Sequence, residues 1–127
     1  MPDRVTYEYA IIRLVPKVER QEFMNIGVIL YSKKKRFLDL KYQIDEQRLK
    51  AFAPEIDLEF IRSYLKAWEL ICQGGKAGGP IGQLEIQVRF RWLTANRSTI
   101  IQSSAVHPGL CDQPELVLEQ LFEEYVL

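Results

Sequence analysis

"TYEYAIIRLVP", residues 6–16, is dense in β-branched and aromatic side chains and stops at Pro16. Near-continuous apolarity from Tyr9 to Val15 predicts a strand covered on both faces, with Arg13 pointing out. Downstream, "MNIGVILYS", residues 24–32, reads as a second strand. Gly27 inside it marks a bulge or a close backbone approach. "RFLDLKYQI", residues 36–44, alternates. Phe37, Asp39, Lys41 and Gln43 take one side, and Leu38, Leu40, Tyr42 and Ile44 take the other. Only Lys33 to Lys35 separate the second and third strands, so a tight antiparallel hairpin is expected.

Beyond residue 44 the period changes. Asp45 is placed to cap a short helix through Ala53, stopped by Pro54. Asp57 caps a longer one, with Ile61, Leu65, Trp68 and Cys72 at helical spacing and Gly74-Gly75 past its end. A last helix starts near Asp112 and Pro114, with Leu118, Leu121, Phe122 and Tyr125 as its apolar face. The order is three strands, two helices, a long loop with a possible strand, and a helix. It predicts an α+β fold: an antiparallel sheet of three or more strands with about three helices packed on one face.

At 127 residues, the chain is expected to be one domain over 1–127 with a real core. Seventeen basic and seventeen acidic residues cancel, so no global charge attracts nucleic acid or anionic membrane. No apolar run reaches the roughly 18 residues of a membrane span, and the first ten residues are too polar for a signal peptide. A cytoplasmic location and no membrane contact are therefore expected. Two cysteines, Cys72 and Cys111, cannot make a disulfide framework, and one histidine leaves a four-ligand zinc site short. Neither a metal nor another cofactor is expected.

Several motifs have plain explanations. "GGKAGGP" follows a helix instead of a strand, and Lys76 precedes Ala77, so it is a flexible connector and not a phosphate loop. The tetrad Lys33-Lys34-Lys35-Arg36 reads as a solvated turn whose charges also discourage edge pairing. Asn96-Arg97-Ser98 matches a glycosylation sequon by accident. His107 near Ser103, Ser104 and Cys111 suggests acyl transfer or a metal, but lacks an orienting carboxylate of its own. No catalytic residue is assigned.

The segment Ile86–Cys111 holds no Asp or Glu, yet carries Arg89, Arg91 and Arg97. If residues 89–93 are extended, Arg89 and Arg91 share one face and Phe90 and Trp92 the other. Together with Thr94, Ser98, Thr99, Gln102, Ser103 and His107 they form the candidate anion- or partner-binding set. Arginine forks beside short hydroxyls are what a phosphate or carboxylate requires. The rival is pairing with Glu115, Glu119, Glu123 and Glu124 of the C-terminal segment, which has no Lys or Arg after Arg97. Arg20, Glu22 and Asn25, at the entrance to the second strand, form a second candidate patch.

"YEYAIIRLVPKVERQEFMNIGVILY" and "GPIGQLEIQVRFRWLTANRSTIIQSSAVHPGL" together resemble the bacterial DUF3037 family, a domain of unknown function, over nearly the whole chain. The matching positions are Arg20, Glu22, Asn25 and Gly27, then Arg91, Thr94, Arg97, Ser98, Gln102, His107 and Gly109. Gln21 and Ala105 stand where the resemblance implies glycine and proline. The family carries no established activity, so no catalytic residue transfers. Its members resemble accessory proteins encoded beside a HipA-like kinase, which implies such a kinase as partner.

The expected function is an accessory or regulatory binding module acting through a protein partner such as a HipA-like kinase. An alternative is a small enzyme acting on a phosphorylated or carboxylated small molecule, with the arginines as clamps and His107 as acid or base. A third reading, nucleic-acid binding with Phe90 or Trp92 stacking on bases, is disfavoured by the neutral charge.

Overall fold

The computed structural model describes residues 4–127. The three expected strands are present and pair antiparallel in chain order: β1 (Val5–Leu14), β2 (Met24–Ser32) and β3 (Phe37–Tyr42). Two short strands, β4 (Ile101–Ser103) and β5 (His107–Cys111), complete an antiparallel sheet. Its order is β3-β2-β1-β4, with β5 also on β1. β4 and β5 lie end to end along β1, one opposite Ile12–Leu14 and the other opposite Val5–Tyr9. Where they break, Ser104 keeps the ladder closed. Its N–H donates to Ile11 O and its Oγ accepts from Ile11 N–H, both at 2.8 Å. A buried strand amide left without a partner is costly, and this serine supplies one.

Gly27 meets both expectations for a strand glycine. The β1–β2 register shifts between Ile12 and Arg13, and a Cβ at Gly27 would stand 2.8 Å from Lys41 O. The hairpin turns at Lys33–Arg36 with Arg36 at φ 50 and its N–H on Lys33 O.

Five helices cover the sheet rather than about three: α1 (Glu46–Phe52), α2 (Leu58–Gln73), α3 (Gly79–Gly82), α4 (Ile86–Thr94) and α5 (Pro114–Tyr125). The caps stand as read. Asp45 accepts from Gln47 N–H and Arg48 N–H, and Asp57 accepts from Glu59 N–H. Ile61, Leu65, Trp68 and Cys72 of α2 are all buried. Fully burying a side chain such as Ile61 or Leu65 contributes roughly 1.5–3 kcal/mol, so packing and not propensity holds α2. No described helix is long and apolar enough to cross a membrane.

The helices do not share one face. α1, α2 and α4 cover the side presenting Ala10, Ile12, Leu14, Ile29 and Tyr31. α5 covers the other, laying Leu118, Phe122 and Val126 on Ile11, Val28 and Leu30. The unbroken apolarity of β1 and β2 already requires this, because both alternations must be buried.

Residues 89–93 are helical, not extended. "IQVRFRWLT" satisfies both periods. Alternation groups Val88, Phe90 and Trp92, while helical spacing groups Ile86, Phe90 and Leu93. Burial selected the helix: Phe90 and Leu93 are fully buried, and Phe90 stacks on Tyr31 at 5.1 Å. The connector "GGKAGGP" is also ordered, into a 3-10 turn at Lys76–Gly78 and the single turn of α3.

Candidate functional site

The acid-free segment satisfies its donors mostly on the backbone. Arg89 sits where α2 ends: its Nη1 donates to Ile71 O and Cys72 O at 2.8 Å, and its Nε donates to Leu84 O at 3.0 Å. A helix C-terminus leaves carbonyls without partners and carries partial negative charge, which a guanidinium answers on both counts. Gly74, at φ 82, makes room, since a Cβ there would lie 2.9 Å from Arg89 Nη1.

Arg97 treats α4 the same way. It donates to Leu93 O and Trp92 O and lies 4.4 Å over the Trp92 ring. Thr94 Oγ1 donates to Phe90 O, Thr99 Oγ1 to Ile101 O, Gln102 Nε2 to Thr99 O, and Ser103 Oγ to Ser104 O. Ser98 is exposed. None of the three arginines reaches the C-terminal helix, where Glu119 pairs with Lys41 instead.

Arg91 differs. Its Nη2 meets both carboxylate oxygens of Glu8 at 3.1 Å, in an open cleft between α4 and the hairpin. Thr6, Tyr31, Lys33 and Gln87 line the same cleft. Burial pushes the Tyr31 phenol up, Glu8 adds to the push, and Arg91 and Arg36 oppose it. The structure thus joins Arg91 to Lys33 of the basic turn, which the sequence gives no reason to connect.

His107 is elsewhere. It stands opposite Tyr9 across the β1–β5 ladder, ring centroids 5.4 Å apart. Tyr9 and Glu8 are successive strand residues and point to opposite faces, so the sheet separates His107 from Arg91. Burial raises both thiols, Cys72 strongly. No group of three or more His, Cys, Asp or Glu is placed to hold a metal ion among the described residues.

The second candidate patch lies at the end of the sheet where β1 hands over to β2. A 3-10 turn, Val18–Arg20, ends on Gln21, which occupies the left-handed region at φ 57 and ψ 22. Glycine is at ease there, so the turn keeps a glycine's shape although the chain has glutamine. Arg20 Nε donates to Glu22 Oε1 at 2.5 Å, and Asn25 Nδ2 donates to Tyr125 O. Asn25 Oδ1 and, across the ladder, Arg13 Nε are buried without a partner among the described residues.

Around this patch large apolar side chains stand exposed among charged ones. Val18 is 41%, Phe23 46% and Phe52 36% exposed. A groove of about 290 Å³ runs between Pro16, Lys17, Arg20 and Glu22 on one side and Ala51, Phe52 and, beyond the end of α1, Glu55 on the other. A second, of about 350 Å³, shares Ala51 and Phe52 and continues to Phe23, Met24 and Arg48. Arg13 lies 4.1 Å over the Phe23 ring. Sequence reading takes in Arg20, Glu22 and Asn25 but passes over Phe23 and Phe52. Phe23 follows a polar turn and Phe52 closes an amphipathic helix, and either residue is ordinarily core.

The profile of one protein family, described as a protein of unknown function (DUF3037), matches residues 9–126. Among curated proteins and solved structures, none matches the chain.

Proposed function

The chain belongs to the DUF3037 family, and on that premise we propose that it is an accessory or regulatory binding module acting through a protein partner. One observation carries this reading: Val18, Phe23 and Phe52 are exposed around two adjoining grooves, with Met24, Arg20 and Arg48 at their walls. Aromatic residues, methionine and arginine are enriched in interfaces, and exposed aromatic side chains beside grooves support a contact site here. Arg13 lies over the Phe23 ring, a cation–π contact that favours the exposed ring position seen here.

The enzyme reading needs Arg91, Arg97 and His107 in one place, and the geometry does not favour it. A HipA-like kinase, which the family resemblance implies, is the first candidate partner. The test is co-purification of the tagged full chain from its native host beside the double variant Phe23→Ser, Phe52→Ser. Both side chains are part-exposed, and Phe23 also gives up its contact with Arg13, so each substitution is expected to cost about 1 kcal/mol and leave the chain folded. The expected result is a stoichiometric partner held by the original chain and lost by a variant that still unfolds in one cooperative transition. A partner retained by the folded variant would refute the reading.

A further inference from the structure

The cleft between α4 and the hairpin is independent of the apolar end and is built for a different chemistry. Tyr31 lines it beside Glu8 and Arg91. The residue is 4% exposed and its ring is stacked in the core on Phe90, but the hydroxyl has no hydrogen-bond partner among the described residues. The hydroxyl is not among the side-chain atoms buried without a partner, so it opens to the water of the cleft and is free to bond an incoming oxygen. The donors around it stand on exposed side chains and are equally open to a ligand. Arg91 gives Glu8 only Nη2, and the side chains of Lys33, Gln87 and Thr6 make no hydrogen bond or ion pair among the described residues. Glu8 is the one carboxylate in the lining.

Donors from five side chains around one carboxylate exceed what that carboxylate accepts. A carboxylate has two oxygens, whereas a phosphate monoester has three terminal oxygens and close to two negative charges near neutral pH. The cleft is about 210 Å³, below the roughly 300–1,000 Å³ of sites that enclose a whole drug-sized ligand. It therefore suits a headgroup and not a nucleotide.

We infer that this cleft binds a phosphate group, free or as a small monoester, through Arg91, Lys33 and the Tyr31 hydroxyl, with Glu8 occupying Arg91 until the anion displaces it. Glu8 acts as a competitor, and this gives the inference an unusual signature. Removing an acid should tighten binding, and removing a neutral hydroxyl should weaken it.

The test is calorimetric titration of the full chain with inorganic phosphate and, separately, phenyl phosphate at low salt. One saturable site is expected. Arg91→Gln and Lys33→Gln should each weaken it about tenfold, as loss of a charge-assisted bond does. Tyr31→Phe, which keeps the ring and the fold, should weaken it several-fold, and Glu8→Gln should strengthen it. Tighter binding of phenyl phosphate assigns the cleft to an ester, and binding of inorganic phosphate alone assigns it to the free anion. Three results would overturn the inference: no saturable heat with either probe, affinity unchanged in Arg91→Gln, or affinity lowered in Glu8→Gln.

Discussion

The segment 86–111 and the surface formed by residues 16–24 with 48–55 invert what their compositions suggest. The first looks specialised, with three arginines, a histidine, a row of hydroxyls and no acid. In the fold, Arg89 and Arg97 close helix ends, Thr94, Thr99, Gln102 and Ser103 bond backbone carbonyls, and Ser104 replaces a ladder bond. The second is compositionally ordinary, but it leaves Phe23 and Phe52 uncovered. A missing local acid does not mark a ligand site, because helix-terminal carbonyls can also take up an arginine's donors. What marks a site is what folding leaves unspent. Within α4 the same contrast separates Arg89, whose donors are used three times, from Arg91, whose fork is half free.

The contrast predicts a graded series of stabilities. The largest loss belongs to the shared core beneath both regions. Trp68→Ala should lower unfolding free energy by roughly 3–5 kcal/mol, as deletion of a buried tryptophan does. An unchanged denaturation midpoint would remove α2 from the core. Next comes Arg89→Ala, which leaves carbonyls of α2 without their cation; chemical denaturation should show a loss of about 2–3 kcal/mol. A neutral outcome there would reopen Arg89 as a functional residue. Arg97→Ala, half exposed at the end of α4, should lose about 1 kcal/mol. Replacing Glu119 and Glu123 should not reproduce that loss, since Glu119 pairs with Lys41 across the opposite face. If it did, the arginines would be coupled to the C-terminal helix after all.

The fold was largely legible in the sequence because its signals are local. Asp45 and Asp57 as caps, the bounds of β2, the glycine bulge and the α2 core positions each follow from neighbours within a few residues. Two features were not. The helix at 86–94 obeys both periods, and only contact with Tyr31 and the α2 core selects between them. The second covered face follows from β1 and β2 jointly, whereas the reading of one-sided packing weighed the helices alone. Of the candidate residues, Arg91 joins an open cleft, and Arg20, Glu22 and Asn25 border the apolar end. Lys33 and Tyr31 reach Arg91, and Phe52 reaches Arg20, from elements far apart in sequence, so spacing carries no trace of them. Phe23 adjoins Glu22, but its exposure is set by the fold and not by its neighbours.

Amide hydrogen exchange of the free chain against the purified complex tests most directly the proposal that a partner binds the end of the sheet bearing Phe23 and Phe52. Slowed exchange in residues 17–24 and 48–55, with 84–97 unchanged, is the expected footprint. Protection confined to 84–97 or to the 33–36 turn would contradict the account and hand the partner to α4 or the basic hairpin.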